Sequence, residues 1–257
     1  MIDVAPFVIA ALLGLAIGSF LNVCIYRLPL GKSLASPPSA CPQCARPLRW
    51  FENVPVVAWI VLGGRCRTCR TPISGVYPLV EAFTGAVFVW GWWQYGPSWL
   101  LFSHLLFACA LIVLFFIDLR HRILPNAITL PGIVIGLLLS FVNPPGWASS
   151  LVGIVLGGVI PFAIAELYYR IRGDEGLGMG DVKMLAMIGA FLGWKLMLLT
   201  LVVASFLGSF VGVGLILLRR GDMKSSLPFG TFLTVSAFFA LVAGNSVLAW
   251  YLGFFAR

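Results

Sequence analysis

Long apolar segments are the feature that most restricts what this chain can fold into. Runs of about 17–25 largely apolar residues recur along the chain, and a helix of this length crosses a bilayer. Sixty per cent of the 257 residues are hydrophobic and only 10% are charged, which is not the composition of a soluble domain. We therefore expect an all-α integral membrane protein with about eight transmembrane helices, at residues 5–26, 77–95, 99–117, 125–142, 148–169, 182–193, 196–218 and 227–253.

The basic residues predict the orientation of these helices. Of the 17 Lys and Arg residues, all but Lys195 and Arg257 fall in alternate loops, which the positive-inside rule places in the cytoplasm. Both termini are then outside, and the first apolar run is expected to remain as a span because an acidic residue precedes it. The net charge of +8 indicates attraction to anionic membrane lipid. Since these charges are divided among four loops, we expect no nucleic-acid partner.

The organisation that follows has three parts. Residues 1–26 form the first transmembrane helix, residues 27–76 form a small cytoplasmic zinc-ribbon-like loop domain, and residues 77–257 form a multi-span membrane domain. The loop domain carries Cys41-Pro-Gln-Cys44 and Cys66-Arg-Thr-Cys69, with 21 residues between the two motifs.

Paired C-x-x-C motifs at this separation indicate a zinc site, because each motif offers two thiolates to one tetrahedral ion. Four thiolates leave no open coordination position, so the zinc is expected to be structural. Two disulfides are an alternative, but they are rare in a reducing cytoplasm. A dithiol redox centre is a further alternative, although such a centre needs only one C-x-x-C motif.

Two aspartates stand out among the nine acidic residues. Asp118 directly follows an apolar run, and Asp181 directly follows Gly178-Met-Gly180. The predicted topology places both on one face of the membrane, where an ionisable group beside an apolar wall suggests function. If they converge, they can share a proton and activate water, as in aspartic proteases. The alternatives are a salt bridge between Asp118 and a basic residue at 120–122, and a helix N-cap for Asp181.

The residues around both aspartates resemble those of a known family. Gly178-Met-Gly180-Asp181 is a G-x-G-D motif, as in membrane aspartyl peptidases such as type IV prepilin peptidases and presenilins. The wider pattern is similar to that of bacterial prepilin peptidases. Its parts follow in order over nearly the whole chain: residues 18–29, both cysteine motifs, residues 72–74, residues 77–81, residues 123–131 after Asp118, and residues 176–183.

This resemblance implies a bifunctional enzyme of the bacterial inner membrane. Such enzymes cut the short basic leader from type IV prepilins and secretion pseudopilins after a glycine, at the cytoplasmic face. They then N-methylate the new amino terminus, typically a phenylalanine, with S-adenosylmethionine as methyl donor. The family's catalytic pair matches Asp118 and Asp181, and its zinc ligands match Cys41, Cys44, Cys66 and Cys69. The sequence does not locate the methyl-donor site.

Two positions depart from the expected pattern. Asn126 stands where an acidic residue is expected, and Thr231 stands where a proline is expected. Asp174 and Glu175 are further candidates, because their negative charge would meet the positive charge of a leader. Three other functions remain open: a peptidase without methyltransferase activity, a proton-coupled transporter, and a non-catalytic membrane anchor that displays a zinc ribbon.

Overall fold

The computed structural model describes residues 4–173, 177–218 and 228–255. Within these ranges the regular structure is helical, apart from two isolated β-bridges in the cysteine loop. The α-helices are α1 (Ala5–Arg27), α2 (Val57–Val61), α3 (Val76–Tyr95), α4 (Trp99–His121), α5 (Asn126–Leu139), α6 (Trp147–Arg172), α7 (Met179–Leu217) and α8 (Phe229–Phe255). The all-α expectation is confirmed for this part of the chain.

Five of the described helices are long and apolar enough to cross a membrane by length and composition: Ala5–Leu30, Trp99–His121, Trp147–Arg172, Met179–Leu217 and Phe229–Phe254. The expected number of eight is not confirmed. The run at 125–142 forms only the 14-residue α5, and the runs at 182–193 and 196–218 both lie in α7, which has a non-helical residue, Gly193, where the first run ends. The run at 77–95 forms α3, which is not one of the five.

The chain divides into two compact units, Met1–Leu105 and Leu106–Arg257. In the first unit, α1 packs directly against α3 because glycines on α1 leave no side chain between them. A Cβ atom added at Gly14 would lie 2.8 Å from the Cα atom of Gly85, and one at Gly18 would lie 2.7 Å from the Cα atom of Glu81. The loop that carries the cysteines leaves α1 and returns to α3, so this pair of helices supports it.

In the second unit, the first half of α7 is the core. Its side chains are almost entirely buried, with Met184, Leu185, Met187 and Ile188 at 0% exposure. Helix α6 lies against it backbone to backbone, since a Cβ atom at Gly153 would lie 2.5 Å from the carbonyl oxygen of Gly189. Such close approach through small residues is typical of helices packed in membranes.

Helix α7 is interrupted at Gly193, whose φ of 75° and ψ of 173° are not helical. This conformation favours glycine. The site is also crowded, because an added Cβ atom would lie 2.5 Å from Oγ of Ser149 and 2.8 Å from Cγ of Pro145. The break falls on the last residue of the apolar run at 182–193, directly before the two residues that separate it from the run at 196–218.

Candidate active site and metal centre

Asp118 lies in the last turn of α4 and is only 4% exposed. Its Oδ2 atom accepts two hydrogen bonds from Thr231 near the start of α8. The backbone N–H of Thr231 donates at 2.5 Å and its hydroxyl donates at 2.8 Å. Arg122, just beyond α4, attracts the carboxylate electrostatically. The hydrogen bonds therefore link the end of α4 to the start of α8.

Asp181 lies in the first turn of α7 and is partly buried. The N-cap position belongs to Gly178, which has an extended backbone and makes no side-chain capping bond, so the N-cap interpretation of Asp181 is wrong. The backbone N–H of Asp181 bonds to the carbonyl oxygen of Gly178 at 3.0 Å. Its carboxylate is close enough to Asp118 for their charges to interact. The structure thus brings the two sequence-predicted aspartates together.

Leu124 packs between two glycines that flank the aspartates. A Cβ atom at Gly180, next to Asp181, would lie 3.1 Å from Cβ of Leu124. A Cβ atom at Gly230 would lie 3.0 Å from Cδ1 of Leu124 and 3.0 Å from Cγ of Asp118. The missing side chains therefore allow the starts of α7 and α8 to approach the segment after α4.

The two positions that depart from the expected pattern both lie near the aspartates. Asn126, at the start of α5, accepts a hydrogen bond of 3.0 Å from Nζ of Lys183, two residues after Asp181. Thr231 supplies both donors to Asp118. Neither residue has a role that follows from the sequence pattern alone. The available signal was that Thr231 introduces a hydroxyl and an N–H that a proline lacks. Asp174 and Glu175 lie outside the described residues.

The two cysteine motifs have matching backbone conformations. In the first, the N–H of Cys41 bonds to the carbonyl oxygen of Arg46 at 2.9 Å; in the second, the N–H of Cys66 bonds to that of Thr71 at 2.9 Å. The residue four positions after each first cysteine is left-handed, with φ of 55° at Ala45 and 59° at Arg70. The backbone therefore turns in the same way in both motifs.

The four sulfurs of Cys41, Cys44, Cys66 and Cys69 lie within 4.8 Å of one another, and those of Cys41 and Cys69 are 3.7 Å apart. A tetrahedral ion with Zn–S bonds of about 2.3 Å has sulfurs about 3.8 Å apart, so the cluster fits such an ion. Hydrogen bonds from the hydroxyl and the N–H of Thr71 lower the pKa of Cys69 to about 6. This thiol is therefore prepared to bind a cation as thiolate.

Two carboxylates hold the cysteine loop in place. The Glu52 side chain, 1% exposed, forms a 2.8 Å salt bridge with Arg46 and accepts a 2.8 Å bond from the N–H of Arg49. The Arg46 guanidinium lowers the pKa of Glu52. Glu81 of α3 accepts a 2.7 Å hydrogen bond from the N–H of Val56 and so connects the loop to the helix. These contacts hold the segment that follows the first cysteine motif.

Comparisons with known proteins show the family of the chain. The family model described as bacterial peptidase A24 N-terminal domain matches residues 12–95, and that of the type IV leader peptidase family matches residues 105–213. A prepilin leader peptidase/N-methyltransferase of Aeromonas hydrophila is 36% identical over 96% of this chain and 93% of its own length. The protein of the same name from Pseudomonas aeruginosa is 34% identical over 95% of this chain and 92% of its own length.

A relative of the same name from Myxococcus xanthus is 42% identical over 81% of this chain and 62% of its own length. No solved structure matches. These relatives carry the names of peptidases, and neither the transporter nor the anchor alternative is favoured by them. Since both family models and full-length relatives match, the chain belongs to the type IV leader peptidase family.

Proposed function

We propose that this protein is a prepilin leader peptidase and N-methyltransferase, and that Asp118 and Asp181 are its catalytic pair. The observation that carries the peptidase assignment is their convergence in one unit, from positions 63 residues apart in the sequence. The proposed substrates are type IV prepilins and the related pseudopilins of secretion systems.

The arrangement supports an aspartic-protease reaction. Two neighbouring carboxylates do not ionise independently, so they carry one proton between them. The ionised member takes a proton from a water molecule as that water attacks the scissile carbonyl carbon. The protonated member donates to the carbonyl oxygen, and a proton then passes to the leaving amine as the C–N bond breaks. Burial of Asp118 at 4% exposure keeps bulk water from weakening these interactions.

The membrane setting suits such a substrate. Prepilins combine a basic leader with a long apolar helix, so the cleaved bond lies at the membrane surface. Asp118 ends one apolar helix and Asp181 begins another, which suits a site at that depth. The positive-inside rule supports an inner-membrane protein with the aspartates and the cysteine loop on the cytoplasmic side. Asp174 and Glu175 are proposed to meet the basic leader.

Leader release tests the catalytic pair directly. The detergent-solubilised protein is incubated with a purified prepilin, and the product is identified by mass spectrometry. Asp118→Asn and Asp181→Asn should each leave the prepilin intact. Glu166→Gln is the matched control, because this carboxylate lies on the exposed part of α6, where it pairs with Arg170. Cleavage by both aspartate variants at the wild-type rate would refute the assignment.

The cysteine cluster is proposed to hold a structural Zn²⁺ through Cys41, Cys44, Cys66 and Cys69. The ion would fix the loop domain, proposed as residues 27–76 between the first helix and the membrane peptidase domain of residues 77–257. The closeness of the four sulfurs, all within 4.8 Å of one another, supports this assignment. S-adenosylmethionine is the proposed methyl donor, and no residues are assigned to it.

Metal content and methylation test the loop separately from cleavage. Purified wild type should contain about one zinc ion per chain. Cys41→Ser should lose it, whereas Cys109→Ser, in α4 and outside the cluster, should keep it. With S-adenosylmethionine present, the wild-type product should gain the mass of one methyl group. Retention of zinc by Cys41→Ser would contradict the metal assignment, and an unmethylated wild-type product would contradict the second activity.

A further inference from the structure

Thr231 donates two hydrogen bonds to one oxygen of Asp118. Its N–H lies 2.5 Å from Oδ2, and its hydroxyl oxygen lies 2.8 Å from the same atom. This N–H is also 3.2 Å from the carbonyl oxygen of Pro228, so its shorter bond is to the carboxylate. Both residues are buried, at 8% and 4% exposure, which limits competition from water.

Two donors on one oxygen have two effects. They stop the carboxylate from rotating about its Cβ–Cγ bond, and they favour its ionised form, because a charged acceptor makes stronger hydrogen bonds. Gly230 allows this geometry, since a Cβ atom there would lie 3.0 Å from Cγ and Oδ2 of Asp118. The start of α8 can therefore approach the carboxylate closely.

Among the described residues, charged groups that act on Asp118 are Asp181 of α7 and Arg122 just beyond α4. Burial and the negative charge of Asp181 oppose ionisation of Asp118, and the positive charge of Arg122 favours it. The two hydrogen bonds from Thr231 also favour the ionised form of Asp118. We infer that Thr231 is a positioning residue, which holds Asp118 oriented and ionised and leaves the shared proton on Asp181.

This inference rests on the proposed catalytic pair and assigns the starting role of each member. Asp118 accepts the proton of the attacking water, and Asp181 donates to the substrate carbonyl. It also explains how threonine at position 231 differs in effect from the proline expected there. A proline there has neither an N–H nor a hydroxyl, so it could make neither bond to Asp118.

The test compares variants of Thr231 in the prepilin cleavage assay. Thr231→Val removes the hydroxyl but keeps the size and the N–H, Thr231→Ser keeps both donors, and Thr231→Pro removes both. Proline is sterically tolerated there because the position lies in the first turn of α8. Thr200→Val is the matched control, since Thr200 is also buried and its hydroxyl bonds to the carbonyl oxygen of Leu196 at 2.8 Å.

We expect Thr231→Val to lower kcat about 10- to 100-fold with KM little changed, as for loss of a hydrogen bond to a charged group. Thr231→Ser should recover most of this loss, Thr231→Pro should lower kcat further, and Thr200→Val should match wild type. If Thr231→Val does not fold, the comparison of Thr231→Ser with Thr231→Ala replaces it.

Three results would overturn the inference: wild-type kcat in Thr231→Val or Thr231→Pro, an equal loss in Thr200→Val, or no recovery in Thr231→Ser. Asp118→Asn separates this failure from failure of the proposed function. If Asp118→Asn is inactive while Thr231→Val behaves as wild type, only the positioning role is lost. If Asp118→Asn still cleaves, the catalytic pair itself is wrong.

Discussion

Replacing Gly157 with alanine would measure how tightly α6 is packed against the helix that carries Asp181. A Cβ atom at Gly157 would lie 2.6 Å from the carbonyl oxygen of Leu185 and 2.8 Å from its carbonyl carbon. Leu185 follows Asp181 by one helical turn, and a backbone carbonyl in a helix cannot rotate out of the way. At the next position, a Cβ atom at Gly158 would meet nothing within 4 Å. The two neighbouring glycines thus form a matched pair.

The expected magnitude follows from these distances. Ordinary van der Waals contact begins at 3.4 Å, so Gly157→Ala must separate the two backbones by about 0.8 Å, which is 3.4 minus 2.6. Overpacking of this kind costs about 3 kcal/mol, and the better helix propensity of alanine returns about 1 kcal/mol. The net loss is about 2 kcal/mol. Gly158→Ala causes no overpacking, so it should only gain the helix propensity of alanine and raise the unfolding free energy by about 1 kcal/mol.

The assay is reversible unfolding in mixed detergent micelles, followed by tryptophan fluorescence. The unfolding free energies of Gly157→Ala and Gly158→Ala should differ by about 3 kcal/mol, which is on the order of 100-fold in the unfolding equilibrium constant. Prepilin cleavage by Gly157→Ala should also fall, because a shift of about 1 Å at a catalytic group can cost about 100-fold. Equal unfolding free energies for the two variants would refute the close-packing argument.

Three further predictions concern the loop and the start of α5. Arg46→Met should speed the loss of zinc to a chelator, because it leaves the buried Glu52 without its cation; unchanged release would contradict this. In metal-stripped protein, the pH dependence of Cys69 alkylation should have its midpoint near pH 6, and a wild-type midpoint above pH 8 would contradict this. Thr71→Val should move that midpoint to higher pH, because it removes a donor to the thiolate. Mass spectrometry of labelled peptides measures both midpoints. Asn126→Asp should raise the unfolding free energy by only about 0.5 kcal/mol, since Asn126 and its hydrogen bond with Lys183 of α7 are exposed to solvent, and cleavage should be unchanged.

The cysteine cluster could be predicted from the sequence because its geometry is local. Each C-x-x-C motif sets its own turn through short-range backbone bonds, and only the meeting of the two motifs is long-range. The expected clustering of Cys41, Cys44, Cys66 and Cys69 is confirmed. Support from Glu81 could not be foreseen, because it comes from another helix and reaches a backbone N–H 25 residues away.

The number of spans was harder to predict because hydropathy does not separate a lipid-facing helix from a protein-facing one. Lipid chains are as apolar as leucine side chains, so both environments select the same residues. The run at 182–193 is apolar because other helices surround it, as the complete burial of Met184 and Ile188 indicates. Its short length was the only sign in the sequence.

The aspartates were identified from local motifs, but their surroundings were not. Asp118 and Thr231 are 113 residues apart, and no periodic pattern connects them. Leu124 was part of a recognised motif, yet its contacts with Gly180 and Gly230 depend on three separate segments. The reactive residues could thus be named from sequence, whereas the residues that position them required the fold.

The interruption at Gly193 has a consequence for local unfolding. A residue with φ of 75° and ψ of 173° cannot continue the helical hydrogen-bond ladder, so the two halves of α7 do not share cooperative stabilisation across it. The half after Gly193 exposes large side chains such as Phe206 and Phe210, at 73% and 80%, while the half before it is packed on nearly all sides. The later half can therefore open locally beyond Gly193 while the half near Asp181 stays packed.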